Sequence, residues 1–189
     1  MNQEVTHAAR RGKTYRMAMT ALMAAVTCVI APMAIPIGPV PISFTNLAIY
    51  LSLYLLGWKR GTVSYLVYVL IGMVGVPVFS GFAGGMGRLL GPTGATGGYI
   101  VGFIPMAVIA GLVIDRYRNR GLQLAGMIVG TAVCYAFGTA WFLVAYARAA
   151  GPIGLWAALG MCVFPFVVPD LVKLALAWML SRRLAGCLR

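Results

Sequence analysis

Acidic side chains are nearly absent: the 189 residues contain three, Glu4, Asp115 and Asp170. Histidine occurs once, at His7. General acid–base catalysis draws most often on histidine or on paired carboxylates, so no catalytic residue is assigned and no enzymatic reaction is expected. The four cysteines, Cys28, Cys134, Cys162 and Cys187, have no CxxC or metal-like spacing. Three of them lie in apolar stretches, where a thiol behaves as a small hydrophobe. Neither a disulfide framework nor a metal site is supported, and no resident cofactor is expected. Gly12-Lys13-Thr14 is like the end of a phosphate-binding loop, but His7 stands where the first glycine belongs and an apolar run follows. Gly85-x-Gly87-x-x-x-Gly91 is not a dinucleotide fingerprint. ATP hydrolysis by this chain is therefore not expected.

Charge of any kind is scarce, at 10% of residues, while 61% are hydrophobic. The apolar runs reach the roughly 20 residues that cross a bilayer core, which makes this an all-α integral membrane protein. Net charge is +12, from 15 Lys and Arg. Such an excess suggests nucleic acid in a soluble chain, but here the basic residues fall in short runs between apolar segments, so no nucleic-acid partner is expected and the lipid bilayer is the solvent.

The pattern predicts six transmembrane helices in a single transmembrane domain, residues 1–189, of which 1–16 form a basic cytoplasmic tail. Helix one covers about Met17 to Ile35 and is read as an uncleaved first span. Pro36, Pro39 and Pro41 then impose a loop or re-entrant hairpin. Helix two runs from Phe44 to about Leu56 and ends at Gly57-Trp58-Lys59-Arg60; helix three occupies roughly Gly61 to Phe79. Ser80 to Gly98 holds eight of the 24 glycines, too many for a stable helix, and is expected to be a structured loop. Helix four covers Gly98 to Ile114, and helix five Leu122 to Tyr146. Pro165 and Pro169 divide the last apolar stretch into a shallow interfacial helix up to about Cys162 and a sixth span from Pro169 to Arg183.

Charge placement tests this topology. With both termini cytoplasmic, the inner segments hold Arg10, Arg11, Lys13, Arg16, Lys59, Arg60, Arg116, Arg118, Arg120, Arg182, Arg183 and Arg189. The outer segments hold only Arg88 and Arg148, and Lys173 lies within helix six. That asymmetry satisfies the positive-inside rule.

A few polar residues stand out against this background. Asp170 and Lys173 are the ionisable side chains inside a predicted span, and their i, i+3 spacing puts them on one helix face. Burial in lipid requires them to face the interior and pair; a ligand site and a bridge pinning two helices both satisfy that. Pro169 suits a first helical turn, which would set Asp170 beside free backbone N–H groups. Arg88 lies in the glycine-rich segment with no acid on the outer side. Its planar fork suits a carboxylate ligand, and a lipid headgroup suits it too. Asn46, Tyr50 and Tyr54 recur every four residues after Phe44 and share a face, fit either for a neutral heterocycle or for helix packing. Ala21 and Ala25 form a small-xxx-small pair that lets another helix approach, as do Gly98/Gly102 and Gly126/Gly130.

The run Pro77-Val78-Phe79-Ser80-Gly81-Phe82-Ala83-Gly84-Gly85-Met86-Gly87-Arg88-Leu89-Leu90-Gly91-Pro92-Thr93-Gly94 resembles the signature loop of the BioY family, biotin-specific S components of energy-coupling-factor (ECF) importers. The resemblance continues through Phe44-Thr45, Gly98-Tyr99 and Pro169-Asp170-Leu171-Val172-Lys173, and covers the chain after Arg16. It implies a six-helix S-component fold in the bacterial cytoplasmic (inner) membrane, with a vitamin site near the outer face closed by the loop after helix one. It also implies a transmembrane T subunit and two ATPase subunits as partners, with helix one docking through Ala21 and Ala25. Biotin suits the residues: its carboxylate would meet Arg88, its ureido N–H groups Asp170 and its ureido carbonyl Lys173. Phe44, Asn46 and Tyr99 complete the implied substrate set. The chain departs from the family at Gly94-Ala95-Thr96-Gly97, which lengthens a turn by three residues, and in having Asn46 near the position of a glutamine common after the Phe-Thr pair.

Three further readings differ in what they predict. An S component for another small carboxylated vitamin would select that vitamin in competition binding, and solitary transport would persist in cells lacking the ATPases. A small membrane acyltransferase using the glycine loop as an anion nest would turn over an acyl donor, yet the loop has no His, Asp, Glu, Cys or Lys.

Overall fold

Residues 2–16, although basic, contain no proline and are rich in good helix formers. In the computed structural model, which describes residues 2–36, 40–90 and 94–187 (side chains for 12–36, 40–89, 94–181 and 183), they are already helical: α1 is Asn2–Ile30. The expected tail is thus the first half of the helix, and the expected end at Ile35 is corrected to Ile30. Pro32 causes the early stop, because the residue before a proline is pushed out of the α region. Ala34–Ile35 (β1) instead pairs antiparallel with Ile42–Ser43 (β2), Ala34 opposite Ser43 and Ile35 opposite Ile42. Pro36 and Pro41 therefore adjoin the paired strands of a short hairpin; Pro39, which was expected to help shape the loop, lies outside the described residues.

Helix α2, Thr45–Met73, contains both the second and third expected spans. Its helical path breaks at Gly57, where φ is 77° and ψ 171°, a conformation that only glycine adopts readily. The chain reverses there: Gly61 lies so close to Leu53 that a Cβ on it would stand 3.0 Å from the Leu53 Cα. The turn is clasped by Asp115, whose carboxylate accepts the Trp58 backbone N–H at 2.9 Å. The second arm stops at Met73, six residues before the expected Phe79, ahead of Gly75 at φ 116°.

The glycine-rich segment folds into a tight turn in which Phe79 and Ala83 exchange backbone hydrogen bonds of 2.8 and 3.3 Å. The short helix α3, Gly87–Leu90, follows, then a 3-10 turn over Gly94–Thr96. Gly81 N–H donates to Pro32 O at 3.1 Å and Gly85 N–H to Gly72 O at 2.7 Å, which tie the segment to the ends of α1 and α2. Helix α4 is Gly97–Arg116 and α5 is Arg120–Ala150, begun by the Asn119 side chain accepting from Gly121 N–H at 2.9 Å.

Helix α6, Leu155–Cys162, is the expected short helix, but α7 is Phe164–Cys187 and starts before Pro169. Pro165 occupies its first turn, where a missing N–H costs nothing. Asp170 is consequently the seventh residue of α7 and not at its N-terminus, so side chains rather than free backbone N–H groups must satisfy it.

Six spanning segments result: α1, the two arms of α2, α4, α5 and α7, with α6 beside them. Among the described residues, Gly94–Arg116, Arg120–Ala150 and Leu155–Ser181 are long and apolar enough to cross a membrane by composition alone. Gly102 backs onto Cys134, Gly126 onto Val113 and Gly130 onto Met106, so the glycine pairs of α4 and α5 serve packing within this bundle. The start of α1, the α2 turn and the α4–α5 turn share one end, where the Asp115–Trp58 bond joins two of them. That end carries the basic clusters and is the cytoplasmic one. Outward apolar side chains such as Leu70, Val74 and Val168 are exposed, as lipid contact allows.

Candidate functional site

A cavity lies at the outer end, enclosed by the β1–β2 hairpin, both arms of α2, the glycine-rich segment and helices α4 to α7. Arg88, Asp170, Lys173, Asn46 and Tyr99 all line it. Phe44 does not. Its ring lies 5.7 Å from the Lys173 ammonium, where the π face stabilises the cation.

Lys173 is 4% exposed, and its ammonium donates at 2.9 Å to Asp170 Oδ1 and at 2.7 Å to the backbone carbonyl of Ser43. The first contact is the i, i+3 pair expected from spacing. The second fastens the hairpin to α7. An ammonium has three donors, so one remains for the cavity. The other oxygen of Asp170 accepts the Tyr135 hydroxyl at 2.5 Å. A carboxylate keeps further lone pairs when each oxygen has taken one donor, so Asp170 retains accepting capacity.

Arg88 comes from α3 and is half-buried. Among the described residues the one ion pair is Lys173 with Asp170, so Arg88 lines the cavity without an ionic partner among them. Asn46 is buried, and its Oδ1 accepts from Leu47 N–H at 3.0 Å. Tyr99 has its hydroxyl committed at 3.2 Å to Thr139 and at 3.3 Å to Cys162 O; only its ring is left for a ligand. That ring lies against Gly138, where an added Cβ would stand 2.4 Å from two of its carbons. Gly138→Val should therefore push Tyr99 into the cavity and weaken ligand binding by about tenfold, since overpacking of this kind costs ~1–3 kcal/mol. Isothermal titration would measure the loss, and a thermal unfolding transition that is lowered but still cooperative would separate it from misfolding.

The aromatic face expected on α2 divides. Asn46 reaches the cavity, whereas Tyr50 and Tyr54 pack behind it. The Tyr50 hydroxyl meets Thr131 and, at 3.3 Å, Met127 O; that of Tyr54 meets the Met127 sulfur at 3.3 Å. For those two residues the packing alternative holds. Ala21 and Ala25 are on another face altogether, exposed along α1, while Met23, Ala24 and Thr27 turn inward. The lengthened turn packs on α3, with Gly97 so close to Leu89 O that a Cβ would stand 2.2 Å away, and Trp141 Nε1 donates to Gly94 O at 3.1 Å. Part of the expected signature run, Gly91, Pro92 and Thr93, lies outside the described residues.

Tyr135 was not anticipated from sequence. Its signal was present: a buried aspartate with one cationic partner still needs donors for its second oxygen, and Thr131 and Tyr135 are polar residues one turn apart on an apolar helix. The apolar walls, including Phe79, Phe103 and Phe166, were equally invisible among so many hydrophobic residues. Taken together, the cavity offers an unpartnered guanidinium, a carboxylate–ammonium pair with donor and acceptor capacity, and aromatic surface between. It suits a ligand with an anionic end, an apolar middle and a polar group that both donates and accepts.

Comparisons with known proteins agree with this reading. The model of the BioY family matches residues 1–189. The chain is similar to a probable biotin transporter BioY of Pyrococcus horikoshii, at 38% identity over 92% of this chain and 98% of that one. It is also 38% identical to the biotin transporter BioY of Thermotoga maritima, over 86% and 91% of the two chains. A crystal structure of the S-component for biotin from an ECF-type ABC transporter superposes with a TM-score of 0.79 at 27% identity, covering 93% of each chain.

Proposed function

This chain belongs to the BioY family, and from that premise we propose how its outer cavity captures biotin. The protein is a multi-pass membrane protein that takes up biotin as the substrate-specific subunit of an ECF-type transporter. In the proposed binding mode, Arg88 holds the valerate carboxylate, Asp170 accepts the ureido N–H groups and Lys173 donates to the ureido carbonyl. Asn46 adds a polar contact, the Tyr99 ring covers the thiophane, and Phe44 acts indirectly by supporting the Lys173 cation. The observation that carries this assignment is Arg88, without an ionic partner among the described residues, in the same cavity as a pair that still has donors and acceptors to offer.

The energy comes from partners: a transmembrane T subunit that docks on the exposed Ala21 and Ala25 of α1, and two ATPase subunits. The setting is the bacterial cytoplasmic membrane, and the chain itself carries out no covalent chemistry. Calorimetry on detergent-purified protein tests the ligand, with submicromolar biotin binding expected. Well-folded protein that ignores micromolar biotin but binds another carboxylated vitamin would reassign the ligand and keep the fold.

A further inference from the structure

At the cytoplasmic end, α1 and the second arm of α2 leave a groove between them. Its mouth is ringed by Lys13, Arg16, Lys59 and Arg60, and its floor is made by Met17, Ala21, Val63 and Val67. Both walls have the same order. Each helix enters the membrane from this end with its cations first and its apolar side chains after, spaced so that they share one face. From Lys13 to Ala21, and from Lys59 to Val67, the rise is about 12 Å at 1.5 Å per residue. The groove is therefore cationic at headgroup depth and apolar below it.

No described acid forms an ion pair with the mouth, although Asp115 lines an adjoining hollow with Lys59 and Arg60. Asp115 is turned to the Trp58 N–H, and Asp170 is in the outer cavity with Lys173. The contact found for Lys59 is the ring of Trp58, 5.5 Å away, which is not an anion. On the floor, Met17, Val63 and Val67 are 65%, 48% and 37% exposed.

We propose that, while no T subunit is docked on Ala21, this groove binds an anionic phospholipid of the inner leaflet, its phosphate held among Lys13, Arg16, Lys59 and Arg60 and an acyl chain laid along Met17, Val63 and Val67. Basic pockets between membrane helices at this depth have the matching chemistry. A soluble anion satisfies only the mouth, and a neutral lipid only the floor. The site is separate from the biotin cavity and stands whatever ligand that cavity takes.

Native mass spectrometry of the full chain, solubilised with equal phosphatidylglycerol and phosphatidylcholine of the same acyl chains, tests this. The wild type should retain phosphatidylglycerol about tenfold over phosphatidylcholine. The triple variant Arg16→Gln/Lys59→Gln/Arg60→Gln should approach parity while binding biotin as before, which reports that it is folded. Inorganic phosphate at millimolar concentration should not displace the lipid, and displacement by phosphate alone would overturn the assignment. So would parity in the wild type. A variant that keeps its lipid preference but no longer associates with the transmembrane partner would make the groove a protein interface instead. If the triple variant does not fold, Val67→Trp fills the floor without changing charge, and unchanged phosphatidylglycerol retention there would equally refute the proposal.

Discussion

Lys173→Met will abolish measurable biotin binding and lower the stability of the unliganded protein at the same time. The ammonium it removes is the cation opposite Asp170, whose side chain is only 13% exposed. Taking one partner from such a pair leaves an uncompensated charge and costs about 3–5 kcal/mol. The hairpin loses its hold on α7 as well, because the Ser43 carbonyl has lost its donor. Thermal unfolding in detergent, with and without biotin, should show a reduced midpoint and no ligand-induced rise. The double variant Asp170→Asn/Lys173→Met separates the two effects. It removes both charges, so the midpoint should largely recover while binding stays lost. A double variant that regained biotin binding would show that neither group contacts the ligand.

Arg88→Ala has the opposite profile. Its guanidinium has no described ionic partner to strand, so unfolding should be unchanged within error. Affinity should fall by roughly 10- to 150-fold, the equivalent of the ~1.5–3 kcal/mol of a hydrogen bond to a charged group. Biotin amide, which has no carboxylate, makes the test specific. Wild-type protein should prefer biotin to the amide by a similar factor, and the variant should bind both alike. An undiminished preference in the variant would move the carboxylate contact to another residue.

These two residues also mark how far sequence alone reaches. Lys173 and Asp170 stood out because ionisable groups are expensive in a span and must pair, and Arg88 because the outer segments offer it no acid. Charge is rare in this chain, so each charged position carries information. The topology was legible for the same reason. The end of α1 was misplaced because hydropathy alone carries Ala31 to Ile35 into the span, while Pro32 ends the helix. The start of α7 was misplaced because two prolines four residues apart each suit a first turn, and local pattern does not choose between them. Phe79 and Phe103 were illegible as site residues for a different reason: in a chain this apolar, an aromatic side chain facing a ligand and one facing a neighbouring helix obey the same pattern. Tyr50 and Tyr54 illustrate it, sharing the face of Asn46 but packed against α5 and not lining the cavity.

The bond from Lys173 to the Ser43 carbonyl joins positions 130 residues apart, and this has a consequence for synthesis. Five of the six spans leave the ribosome before Lys173 does. Until α7 is inserted, the hairpin has no anchor at that point, and the cavity lacks the carboxylate and the ammonium together. A nascent chain halted after α5 should therefore have its topology in place and yet be unable to hold vitamin. Ligand competence arrives only once α7 is in the membrane, however early the other five spans are placed.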